Sequence, residues 1–303
     1  MPLFASNVAL ATIVCTYVFG FFAIIFVAIH LFVRLHLFGK FSIEDISTCF
    51  ALIVTMGLIG QITWAVVDEG QGEHMADVTR SQFELTAKSL LANEALWALV
   101  NACIRLSASL SLLRIFGCVH AFRYQANTFM LFTAIHGVAA LIVAVSICHP
   151  IQASWDPQVQ GSCGDQTAAY VGLEVGGLLL DTYILALPAR YVVRLDMRIK
   201  RKFIILFVLS AGAVVMVITG FRIAALHRVN SSDFSYDQGY LGLLSTLGAL
   251  LGVISCCVLS IRPFIRYLQG TFSRRPTDTE NHDTIPLEQQ QVGKHRDAFE
   301  DHR

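Results

Sequence analysis

Seven stretches of about 20 mostly apolar residues dominate the sequence, and each is long enough to cross the roughly 30 Å hydrocarbon core of a bilayer. They are Val8–His30, Ser47–Val67, Ser89–Leu112, Ala126–Ile147, Tyr170–Arg190, Phe203–Leu226 and Leu241–Ile261. Backbone polar groups find no water in lipid, so only helices or closed barrels can span it, and the alternating ten-residue strands of a barrel are absent from the sequence. The pattern therefore predicts an all-α bundle of seven transmembrane helices.

The composition agrees with a chain embedded in a membrane. Apolar residues make up 55% of the 303 residues and charged residues 15%, whereas soluble domains carry about 25% charged residues. The formal net charge is zero, which excludes a globally basic nucleic-acid binder. The apolar spans predict a short outer N-terminus at residues 1–7 and a seven-helix domain at 8–268. The sequence turns polar after this domain, so we expect a disordered tail at 269–303.

The distribution of Lys and Arg predicts the orientation of the bundle. Assigning the loops alternately to the two faces places 17 basic residues on one side and 3 on the other. The positive-inside rule then predicts an outer N-terminus and a cytoplasmic tail, in the plasma membrane or an endomembrane. The basic stretch at residues 190–202 is either a docking site for a cytoplasmic signalling partner or an anchor to anionic lipid.

Five ionisable residues interrupt the predicted spans: Glu94, Arg105, Glu174, Asp181 and Arg222. Each costs about 2.5–3.5 kcal/mol at the bilayer centre, so we expect them to face the bundle interior and to pair. A helix rises about 1.5 Å per residue, which predicts two layers within one cavity. The upper layer contains Glu94, Glu174 and Arg222, and the lower layer contains Arg105 and Asp181. Asn101 shares the helical face of Glu94 and Arg105.

Three interpretations of these buried charges remain open. They can be structural ion pairs that fix the register of the helices, as buried charges often are. They can also line a site for a small lipophilic ligand that binds Glu94, Asn101, Arg105, Glu174, Asp181 and Arg222. In the third interpretation, one of the carboxyl groups of Glu94, Glu174 or Asp181 is a catalytic general acid, because a low-dielectric cavity favours its protonated form.

The spacing of the cysteines predicts one disulfide, and the spacing of the histidines predicts no metal site. Cys148 and Cys163 are fifteen residues apart in the loop between the fourth and fifth spans, and they are the two cysteines predicted on the oxidising outer side. We expect them to form a disulfide, worth about 3 kcal/mol for a loop of that size. No H-x-x-x-H or H-E-x-x-H spacing occurs, so no metal site is predicted.

An ordered set of short motifs across all seven spans resembles the fungal rhodopsin-domain integral membrane proteins. The set includes Arg34, Ser42–Asp45, Gly70–His74, Ile104–Ser107, Leu113–Phe116, Cys148–Pro150, Trp155–Asp156, Leu187–Pro188, Arg222 and Ser260–Phe264. The resemblance covers residues 15–268 and implies a seven-helix rhodopsin-like bundle. It departs from the family pattern at Gly248, where the family usually has Glu, and at Leu259, where it usually has Pro.

The resemblance implies two functions. Some members look like receptors, which favours a receptor-like protein that binds a small lipophilic ligand. The satratoxin-cluster membrane protein suggests the alternative, an enzyme or accessory factor of secondary metabolism such as an acid-initiated cyclase or isomerase. Despite the family's name we expect no retinal, because its Schiff base needs a lysine and none lies between Lys202 and Lys294.

Overall fold

The computed structural model describes residues 7–39, 41–74, 79–156, 158–194, 199–227 and 234–273. Within these residues the chain forms seven α-helices: α1 (Asn7–Phe38), α2 (Ile43–Val67), α3 (Arg80–Phe116), α4 (His120–Ser146), α5 (Gln166–Arg194), α6 (Ile199–Leu226) and α7 (Phe234–Ser273). Between α4 and α5 lies a short antiparallel hairpin of β1 (Cys148–His149) and β2 (Ser162–Cys163), joined through a 3₁₀ turn at Ile151–Ser154. The predicted all-α bundle is confirmed.

Six of the helices are long and apolar enough to cross a membrane, all except α6. In α6 the apolar stretch counted is Ser210–Leu226, and the side chains that precede it in the predicted span lie outside the described part of the chain. The protein is thus a multi-pass helical membrane protein. Its orientation in the bilayer stays a prediction from the basic residues.

Several helices continue well beyond their apolar spans, because capping and polar contacts extend them past the hydrocarbon core. Helix α2 begins before the predicted Ser47, where the Asp45 carboxylate accepts the backbone N–H of Ser42 at 2.8 Å. Helix α3 begins with a reciprocal capping box, in which Gln82 and Thr79 each accept the other's backbone N–H. Apolar length alone marks only the embedded part of each helix.

The interior of the bundle is built mainly from α2, α3 and α7. The apolar window of α7 is 67% buried, against 28% in α4 and 22% in α5. A core cluster joins side chains from these helices and α1, and its members include Leu58, Ile62, Trp97, Val100 and Ala249. Helices α4 and α5 therefore present most of their apolar side chains to lipid.

The chain divides into two compact units, residues 1–264 and residues 265–303. The first contains every contact discussed below. The described part of the second is helical through Ser273. The predicted tail at 269–303 falls almost wholly outside the described residues, as does most of the predicted N-terminus at 1–7, and these boundaries stay predictions.

Candidate functional site: an interior ionic cluster and its cavities

Arg222 on α6 is fully buried and is shared by two carboxylates. Its Nη2 donates to the Glu94 carboxylate on α3 at 2.5 Å, and its Nη1 donates to the Glu174 carboxylate on α5. The remaining guanidinium nitrogen, Nε, donates to the Ser245 hydroxyl on α7 at 3.0 Å. One side chain thereby joins four helices, and the predicted upper layer assembles around it.

Trp97 completes this layer from α3. Its indole N–H donates to the Glu174 carboxylate at 2.8 Å, and the Arg222 guanidinium lies 4.6 Å from its ring centroid, within cation–π range. Gly248 on α7 makes room for the ring, because a Cβ there would lie 2.7 Å from the indole. The departure from the family pattern at Gly248 thus coincides with the space that Trp97 occupies.

Arg105 and Asp181 form the lower layer as a bidentate ion pair. Arg105 Nε and Nη2 donate to the two carboxylate oxygens of Asp181 at 2.7 and 3.0 Å. The guanidinium passes close to α5 at Gly177, where a Cβ would lie 2.9 Å from Nη2. The neighbouring Gly176 makes similar room for His136 of α4, whose Nε2 lies 3.0 Å from the Leu173 carbonyl oxygen. Two consecutive glycines thus let α3 and α4 bring polar groups against α5.

A small polar cavity of about 30 Å³ lies between the two layers and α4. It is lined by Glu94, Trp97, Ala98, Asn101, Arg105, His136, Ala140, Tyr170, Leu173, Glu174 and Gly177. A volume of this size accommodates about one water molecule. Four of the six predicted ligand-binding residues thus line this space, namely Glu94, Asn101, Arg105 and Glu174. The other two, Arg222 and Asp181, form ion pairs with these lining residues.

Two larger cavities open above it, beneath the loop that joins α4 to α5. One has a volume of about 180 Å³ and the other about 330 Å³. Leu90, Gln166, Tyr170 and Phe234 line both of them. Tyr170 also lines the small polar cavity, so its side chain stands between the mouth of the bundle and the buried carboxylates.

A disulfide between Cys148 and Cys163 holds the loop over these cavities, as predicted. The bond joins β1 to β2, which pair at these two residues. Trp155 in the same loop lines the 180 Å³ cavity, and the Lys88 ammonium group lies 5.5 Å from its ring centroid. The loop is therefore part of the wall of the larger space.

A second ionic cluster joins the end of α1, the start of α2 and the end of α3. Asp45 accepts from His30 at 2.9 Å and from Arg34 Nε at 3.0 Å, while Glu44 pairs with Arg34 and with Arg114, the latter at 2.6 Å. Sequence reasoning missed this cluster, because it assigned Arg34, Glu44 and Asp45 to a loop. The four-residue spacing of His30 and Arg34 and the adjacent pair of acids were the available signals.

The structure describes only part of the predicted partner segment. Of the partner segment at 190–202, residues 195–198 and the side chains from 192 onward lie outside the described part of the chain. Within the part that is described, no group of three or more His, Cys, Asp or Glu side chains has the arrangement of a metal site.

The fold and the buried charges define the class: a multi-pass helical membrane protein whose interior is organised by paired charges. The family model for the fungal rhodopsin domain matches residues 29–267, and the chain belongs to that family. A SAT4 family membrane protein from Emericella nidulans is 24% identical over 212 residues, which cover 69% of this chain and 54% of that protein. The chain thus spans about half the length of this curated relative, and no solved structure matches it.

Proposed function

We propose that the protein is receptor-like and binds a small lipophilic ligand at the mouth of the bundle, with the ligand's polar end toward Tyr170. The observation that carries this proposal is the stack of cavities, in which two larger spaces share Tyr170 with the small polar cavity. A ligand entering from above would therefore contact Tyr170, which also lines the cavity beside the buried carboxylates.

The cavity volumes indicate which of these spaces can hold the ligand. Pockets for small molecules measure about 300–1,000 Å³, a range that the 330 Å³ cavity enters and the 30 Å³ cavity does not. The larger cavity has apolar walls at Leu90, Leu226 and Phe234 and polar walls at Asp165 and Thr167. These walls suit an apolar body with one polar group, and the interior charges then respond to the ligand without enclosing it.

We rank second the alternative, an enzyme or accessory factor that uses an intramembrane carboxylic acid. Glu94, Glu174 and Asp181 each accept from an arginine, and the space beside them accommodates about one water molecule. A space of that size leaves no room for a lipophilic substrate beside these carboxyl groups. We likewise keep the expectation that no retinal is bound.

Photolabelling tests the location of the ligand site. The full-length protein in lipid nanodiscs is irradiated with a long-chain alcohol that bears a diazirine and an alkyne, and the labelled peptides are mapped. We expect labelling at the cavity walls, including the start of α7 at Phe234, and a several-fold loss in Thr167→Trp, which fills the 330 Å³ cavity.

Leu179→Trp is the matched control, because Leu179 lies on the same helix and is 66% exposed toward lipid. It should leave labelling of the cavity walls unchanged. Equal labelling of the walls in the Thr167→Trp and wild-type proteins would show that the probe binds elsewhere, and the mouth would lose its role as the ligand site.

A further inference from the structure

Glu69 differs from the other buried carboxylates in the described part of the chain, because it forms no ion pair there. Glu44, Asp45, Glu94 and Glu174 each pair with an arginine. Glu69 is only 5% exposed, and its Oε2 accepts no hydrogen bond from any described residue. A buried carboxylate without a partner is costly, so a balancing positive charge is expected beside it.

The segment that follows α2 folds tightly against the first turns of α7. The Ser235 hydroxyl donates to the Gly70 carbonyl at 2.9 Å, and the Gly72 N–H donates to the Ser235 carbonyl at 2.9 Å. The Gln71 side-chain amide donates to the Gln238 carbonyl at 2.8 Å. Positive φ values of 70° at Gly70 and 93° at Gly72 allow this close approach.

Helix α3 closes the same junction from the other side. The Thr86 hydroxyl donates to the Glu69 backbone carbonyl at 3.2 Å, and the Gln61 side-chain amide donates to the Ser89 hydroxyl at 2.8 Å. Ser89 also forms a side-chain hydrogen bond with Glu69. Glu69 therefore lies between the end of α2 and the first three turns of α3, next to the segment that packs on α7.

Oxygen atoms without donors are concentrated in this junction. Four side-chain oxygens have no hydrogen-bond partner among the described residues: Gln61 Oε1, Glu69 Oε2, Gln71 Oε1 and Gln238 Oε1. Gln71 is 1% exposed and Gln238 is fully buried. The side-chain nitrogens of Gln61 and Gln71 already donate hydrogen bonds, and Gln238 Nε2 is also without a partner among the described residues. Its two hydrogens can serve at most two of the four oxygens, so the others need a partner from outside this set of side chains.

We propose that the junction of α2, α3 and α7 binds a hard cation, Ca²⁺ or Na⁺, through the Glu69 carboxylate and the amide oxygens of Gln71 and Gln238. Carboxylate and amide oxygens are the ligands that such ions prefer, whereas zinc and copper prefer nitrogen and sulfur. Gln61 lies close enough through Ser89 to contribute a further oxygen, directly or through water.

The charge around Glu69 also favours a cation. The exposed Asp68 carboxylate lies near enough to Glu69 for the two negative charges to interact. The Asp68 carboxylate adds a second negative charge at the edge of the junction, which favours a divalent ion. If Asp68 does not contribute and Glu69 is the sole charged ligand, a monovalent ion is enough to balance the charge.

Thermal unfolding of the full-length protein in detergent micelles tests the proposal. The melting temperature is measured in N-methyl-D-glucamine chloride and again after replacement by NaCl or by CaCl₂ at constant ionic strength. An ion at about tenfold excess over its Kd should raise Tm by about 3–6 °C. The salt that produces the rise identifies the ion.

Two variants make the result specific. Glu69→Gln should abolish the ion-dependent rise, and Glu73→Gln, in the same loop but less buried, should retain it. Equal wild-type Tm values in all three salts would overturn the proposal and leave water as the partner of these oxygens. A rise that survives in Glu69→Gln would overturn it as well, because the ion would then bind elsewhere. If Glu69→Gln fails to fold, Glu69→Asp takes its place: the shorter side chain draws the carboxylate back and should reduce the ion-dependent rise, and an undiminished rise would overturn the proposal.

Discussion

Removal of Arg222 tests the interior cluster most directly. In Arg222→Met an unbranched side chain still fills the space, but Glu94 and Glu174 lose their shared cation and Ser245 loses a donated hydrogen bond. Removing one partner of a buried ion pair costs about 3–5 kcal/mol, because the remaining charge is left uncompensated. At about 2–4 °C per kcal/mol, Tm should fall by about 6–20 °C.

A cysteine-reactive fluorescent dye can follow unfolding in detergent micelles, since Cys256 and Cys257 are buried in the folded bundle. Arg123→Met is the matched control, because Arg123 is exposed on α4, and it should change stability by less than about 0.5 kcal/mol. A triple variant with Arg222→Met, Glu94→Gln and Glu174→Gln should recover most of the loss, because it contains no unpaired charge.

Two results would refute this reasoning. If Arg222→Met melts at the same temperature as Arg123→Met, the guanidinium is not balancing buried charge. If the triple variant is no more stable than Arg222→Met, the penalty arises from lost packing around the side chain and not from the carboxylates of Glu94 and Glu174.

Four further outcomes are expected from the same thermal assay. Gly177→Ala should cost about 1–3 kcal/mol relative to Gly172→Ala, because its Cβ would lie 2.9 Å from a guanidinium nitrogen while nothing lies within 4 Å of the other. Cys148→Ser should cost about 2–4 kcal/mol, and dithiothreitol should lower wild-type Tm without affecting the variant. Asp45→Asn, which weakens two charged contacts, should cost about 3 kcal/mol. The last prediction concerns pH in the absence of added Na⁺ or Ca²⁺. The pKa of Glu69 is raised in the folded protein, so the stability of the wild type relative to Glu69→Gln should be highest below the unfolded-state pKa of 4.5 and should fall as pH rises through the raised pKa. Thermal melts at several pH values measure this dependence.

Sequence reasoning reached the two charge layers because both helical geometry and membrane energetics constrain buried charges strongly. The fixed rise of a helix places Glu94, Glu174 and Arg222 at one depth, and the cost of an unpaired charge in lipid then requires them to meet. The pairing of Arg105 with Asp181 follows from the same two facts. For these residues, depth alone left few alternative partners.

The same reasoning could not find features that depend on how side chains fill space. Trp97 looked like an ordinary apolar residue, and its contact with Glu174 depends on the room that Gly248 leaves. His136 was considered only for metal spacing, although the glycine at 176 admits it to the cavity. The second apolar span also began too late, at Ser47, which left Asp45 outside its helix and hid the second ionic cluster.

Helix α3 is held by charge at three levels along its length, at Glu94, Arg105 and Arg114. The first and last are twenty residues apart, or about 30 Å along the axis, which is the thickness of the hydrocarbon core. A rotation or a slide of this helix would disturb all three levels together, so partial movements carry nearly the full electrostatic cost. Such a helix should switch between discrete positions, so that a displacement at one face of the membrane is transmitted to the other.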